Sequence, residues 1–155
     1  MDASMSDQEI AEQERQAAIA CAMQMVTDFV DSMAGGSPEA CQRKVNQLKS
    51  LQELDRILPE EFKRKLMKRA RNEECISNMR RCDLLLREAV ALSVADRMAE
   101  RAAMLNQARK FYQRAAQLGA GKDWCRAFER SEEAIRFTGG MHHGEPSRAK
   151  PGKLN

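Results

Sequence analysis

Between Leu92 and Gly121 the apolar residues Val94, Met98, Ala102, Leu105, Ala108, Tyr112, Ala115 and Leu118 recur every three or four positions. Only an α-helix gathers that spacing onto one stripe, and a stripe of that kind needs a partner surface to cover it. Ser93 with Asp96 three residues on predicts a capped start, and Gly119 and Gly121 predict the stop. The chain is therefore expected to fold by packing helices, and the remaining segments show how many.

A first helix is expected to open at Ser6. Glu9 completes a capping box, and Met5 and Ile10 are placed to staple the cap. From Ile19 its seam sharpens into Ile19, Met23, Val26, Val30 and Met33, with spacings that resemble a coiled-coil face, and Ala18, Ala22, Met25 and Phe29 widen it. Gly35-Gly36-Ser37-Pro38 ends this helix and caps the next, whose buried series reads Cys41, Val45, Leu48, Leu51, Leu54 and Leu58. Leu58-Pro59 forces a boundary. From Pro59 to Ala91 the pattern is helical, but the apolar face changes across Asn72-Glu73-Glu74 from Phe62, Leu66 and Ala70 to Cys75, Met79, Cys82, Leu86 and Ala89. A kinked helix and two separate helices both satisfy that change. A last helix carries Trp124, Ala127, Phe128, Ser131, Ala134 and Ile135 on one face and is expected to end at Thr138-Gly139-Gly140.

No segment alternates with the period of a strand, so the expected fold class is all-α: an antiparallel bundle of five to six helices in one domain over residues 1–138. Residues 139–155 have little apolar content and no periodicity, which predicts a flexible, disordered basic tail. The order Ala108, Tyr112, Ala115, Leu118 resembles the second helix of a tetratricopeptide repeat. That resemblance implies a stack of helical hairpins in place of an ordinary bundle. The 34-residue period of that family does not recur in the chain.

Charge is unevenly spread. The net charge of +3 divides into −6 over residues 1–36, +5 over 37–82, +2 over 83–138 and +2 over the tail. Lys63, Arg64, Lys65, Lys68, Arg69 and Arg71 form a basic helical face opposite Phe62, Leu66, Met67 and Ala70, suited to phosphates, anionic lipid or an acidic partner. A solvated surface, or a face over which the acidic start of the first helix folds, explains the same cluster. No aromatic residue is interleaved with it for base stacking.

The residue types that chemistry needs are sparse. Both histidines, His142 and His143, fall in the tail, which leaves the helical part without the commonest general base. The acidic pairs Glu60-Glu61, Glu73-Glu74 and Glu132-Glu133 diverge by about 100° on a helix, and the first two read as helix starts. Cys21, Cys41, Cys75, Cys82 and Cys125 make no CxxC pair and no zinc spacing, and are expected as reduced thiols in a cytoplasmic protein. The acidic N-terminus has neither the basic nor the apolar region of a signal peptide, and no apolar run reaches membrane-spanning length. No catalytic residue, metal or cofactor is expected.

The leading expectation is a non-enzymatic helical interaction protein, such as an adaptor, a chaperone-like module or an assembly subunit. It would hold a partner protein in an apolar groove formed by Met98, Leu105, Tyr112, Trp124 and Phe128. The alternative is a nucleic-acid-binding helical protein using Lys63 to Arg71. A homodimer through the heptad-like face of the first helix is compatible with either.

Overall fold

The computed structural model describes residues 6–51, 56–92 and 97–141. Among them the long regular elements are all helices: α1 (Asp7–Asp31), α2 (Pro38–Lys49), α3 (Glu60–Ala91), α4 (Met98–Gln117) and α5 (Lys122–Met141). The fold class is the all-α helical bundle that the patterning requires. The Ser93 cap, the Met5 staple and Leu54 fall outside the described residues, as does the tail from residue 142. Helix α5 runs past the expected stop at Thr138 to Met141.

Contacts within the chain gather in two compact units that divide between Glu73 and Glu74. Helix α3 passes through this division as one helix of 32 residues, about 48 Å at 1.5 Å per residue. The change of apolar face at Asn72-Glu73-Glu74 is real, but no helix starts there. Ala70, Glu74, Asn78 and Cys82 are all buried at successive steps of four. Cys75 and Ser77 are buried as well, so the buried surface of the helix is broad just after Glu73.

In the first unit, the capping box at Ser6 is formed: Ser6 Oγ accepts from the Glu9 amide at 3.1 Å, and the Ser6 amide donates to Glu9 Oε1 at 2.8 Å. Ser37 caps α2 with Pro38 in its first turn. Between these helices Gly35 takes φ +76°, which L side chains rarely adopt. The core joins Ala22, Val26, Val30 and Met33 to Cys41 and Val45 of α2, Leu58, and Leu66 and Ala70 of α3. Helix α2 stops at Lys49, earlier than its apolar series suggests, and Leu51 is exposed.

In the second unit, Cys82 and Leu85 of α3 pack with Ala108 and Tyr112 of α4 and Phe128 of α5. The Cys82 thiol donates to the Ala108 carbonyl at 3.2 Å, and the Cys75 thiol to the Ala115 carbonyl at 3.5 Å. Small residues at 108 and 115 allow that approach of thiol to backbone. Burial pushes the Cys82 thiol up to about 12, with Asp83 adding to the shift, and raises Cys75 in the same direction. Gly119, at φ +101°, turns the chain from α4 into α5, and the Ala120 amide closes the turn on the Ala115 carbonyl at 2.9 Å.

Three charged residues occupy core positions. On α4 the buried stripe runs Arg101, Leu105, Ala108, Tyr112, Ala115, which replaces the expected Met98 and Ala102; both of those are exposed. On α5, Phe128 and Glu132 are buried while Ala127 and Ser131 face solvent. On α3, Glu74 is 1% exposed and pairs with Arg114.

Candidate protein-binding groove

Helix α1 is covered along only part of its length. Ala22, Val26 and Val30 point into the core, but from Asp7 to Ala18 every residue is exposed. Met25 lies about 100° round the helix from Val26, which carries it off the core face, and it is 59% exposed. Beside it, Phe29 is half-buried, and Leu51, just beyond the α2 C-cap at Ser50, is 38% exposed.

Met25, Val26, Phe29, Asn46, Gln47, Ser50 and Leu51 line a trough between α1 and α2 of about 560 Å³, open to solvent. It shares Val26 and Leu51 with a smaller cavity of about 70 Å³ that Leu48, Leu58, Lys63, Leu66 and Met67 also line. Apolar side chains form the floor, while the amides of Asn46 and Gln47 and the hydroxyl of Ser50 line the α2 side. Lys44 stands at one end with its Nζ 5.5 Å from the Phe29 ring centroid and a hydrogen bond to Ser32 Oγ. The trough has the apolar base and polar rim that a partner helix requires.

The five residues expected to bind a partner lie elsewhere, in the second unit. Tyr112 stacks on Phe128 at 4.3 Å between centroids, and Trp124 sits 5.9 Å from Tyr112 and 6.0 Å from Phe128. Leu105, Tyr112 and Phe128 are buried, Trp124 is half-buried and Met98 is exposed. The aromatic trio packs into the core of that unit. Tyr112 donates its hydroxyl to Glu129, and this bond, helped by burial, raises the phenol to about 12. Glu132 accepts from Arg109 at 2.9 Å and Arg136 at 3.1 Å, so the Glu132-Glu133 pair splits into one buried ion pair and one exposed residue.

The basic face of α3 is partly neutralised. Lys63 pairs with Glu60 at 2.7 Å, Arg64 with Glu61 at 2.6 Å, and Arg69 with Asp31 of α1. Lys65, Lys68 and Arg71 are exposed. The acidic first helix does meet the basic face, but through Asp31 in its last turn and not through its acidic start.

Sequence reasoning placed Met25 and Leu51 in the core. Helical spacing sets Met25 about a quarter-turn from Val26, the centre of the Ala22–Val30 stripe, but does not say which side of that stripe α2 covers. Among the described residues no helix is long and apolar enough to cross a membrane. No protein-family model, curated protein or solved structure matches the chain.

Proposed function

We propose that this chain is a non-enzymatic protein-interaction module of the reducing cytoplasm, which receives an amphipathic helix of a partner protein in the trough between α1 and α2. The observation that carries this reading is the exposure of Met25 at 59%, beside Leu51 at 38%, over a trough with a polar rim. A flexible thioether on an apolar floor adapts to varied helix surfaces. The free state of all five cysteines, three of them buried, supports the compartment. The nucleic-acid reading draws less support, because three of its six cations already have carboxylate partners.

The test is a photo-crosslinking amino acid placed at Gln47, on the trough wall and exposed, followed by sequencing of the linked peptide. The reading expects a helical segment of a protein. Linkage only to residues of the same copy overturns it.

A further inference from the structure

The trough lacks a large aliphatic side chain over Met25 and Leu51, and the uncovered half of α1 carries one, Ile10, 41% exposed. Taking Val26 as the centre of the core face, Ile10, Glu14, Ala17, Cys21 and Met25 fall together on the opposite flank, spaced seven, four or three apart. Among the described residues nothing covers this seam. Its pattern is symmetric: about a centre between Ala17 and Ala18, an antiparallel copy of the same helix sets Ile10 against Met25, Glu14 against Cys21 and Ala17 against Ala18. The small residues sit at the centre, where two backbones come closest, and the large ones sit at the ends.

Charge agrees. The uncovered segment 7–18 carries −3, from Asp7, Glu9, Glu12 and Glu14 against Arg15. Helix α2, which forms the other wall of the trough, carries +2, from Arg43, Lys44 and Lys49 against Glu39. An acidic half-helix entering the trough from a second copy therefore approaches a helix of opposite net charge, whose residues on the trough itself are the neutral Asn46, Gln47 and Ser50.

We infer that the occupant of the trough is a second copy of this chain: two α1 helices pair antiparallel, and Ile10 of each closes over Met25, Phe29 and Leu51 of the other. This rests on the trough being a partner-binding site and names the partner. The arrangement is isologous, so each contact occurs twice.

The experiment is light scattering on the full chain, with Ile10→Asp and Ile10→Ser, and oxidation of a Glu14→Cys variant with peptide mapping. Cys21 is exposed and available for the reaction. The expected results are a mass twice the 17.5 kDa of the chain, a dimer weakened by roughly a hundredfold in Ile10→Asp with its helicity kept, and a disulfide between position 14 of one copy and Cys21 of the other. A Cys21–Cys21 disulfide in the unmodified chain would mean a parallel pair and overturns the inference, as does a monomer whose mass ignores both Ile10 variants. In the monomer case the Gln47 crosslinker separates the two claims. A foreign helix on the trough leaves the partner-binding reading standing without self-pairing, and no linked protein removes both.

Discussion

Arg114 of α4 donates through Nε to Oε2 of Glu74 at 2.8 Å, while Oε1 of the same buried carboxylate has no hydrogen-bond partner among the described residues. Glu74 is the residue at which the buried face of α3 passes from one compact unit to the other. Asn78 secures the same turn by donating its Nδ2 to the Glu74 carbonyl at 2.8 Å. A charge buried with one oxygen unsatisfied is costly, and removing the Arg114 cation makes it more so.

Arg114→Ala is expected to lower unfolding stability by about 2 kcal/mol, below the ~3 to 5 kcal/mol usual for a broken buried pair because the arginine itself is partly exposed. Glu74→Leu combined with Arg114→Met is expected to be neutral or stabilising. Urea titration of the two variants checks both, and a double variant weaker than Arg114→Ala alone would contradict the assignment.

Core and surface apolar residues should separate cleanly. Phe128→Ala, which removes a ring stacked on Tyr112, is expected to cost about 3 to 4 kcal/mol. Met98→Ala is expected to stay within about 0.5 kcal/mol, since Met98 lies on the exposed side of α4. Thermal or urea unfolding measures each, and equal effects would mean that the α4 stripe is misplaced.

The chain has one tyrosine, so its phenol can be followed alone. Phenolate absorbance is expected to titrate near 12 in the folded protein, against about 10 for a free phenol. A folded pKa above the unfolded one favours the protonated form. The associated stability is therefore fully present below pH 10 and is lost as the pH rises through 12. A midpoint near 10 in the folded state would remove the Glu129 hydrogen bond from the account.

Thiol reactivity should sort the cysteines by burial. At mildly alkaline pH Cys21 is expected to label first, and Cys41, Cys75 and Cys82 only on unfolding. Mass spectrometry of the labelled peptides reads the order. Rapid native labelling of Cys82 would contradict its burial against the Ala108 carbonyl.

Helix boundaries were legible where local chemistry sets them: Ser6 with Glu9, Ser37 with Pro38, and Gly119 in its left-handed conformation. The seam of α1 from Ala22 to Met33 was legible for the same reason, since every member is apolar. The errors share one cause. Arg101, Glu74 and Glu132 hold positions that helical spacing assigns to the core, and a reading that admits only apolar residues there shifts the stripe to Ala102, leaves a kink or a break open at Asn72-Glu73-Glu74 and puts Ser131 inside. Continuing the four-three spacing of Leu105, Ala108, Tyr112 and Ala115 backwards lands on Arg101, which is 5% exposed. The trough was missed because the same spacing cannot tell which side of a wide apolar stripe finds a neighbour. Met25 and Val26 are both hydrophobic, and only the position of α2 leaves one of them uncovered.

The measurement that bears most directly on the account is light scattering of Met25→Asp beside the parent chain, with far-UV circular dichroism on the same samples. Met25 is exposed, so an aspartate there is predicted to leave helicity and cooperative unfolding intact while abolishing association through the trough. Loss of helicity would place Met25 in the folding core, and unchanged association would remove the trough from the interface; either result contradicts the account.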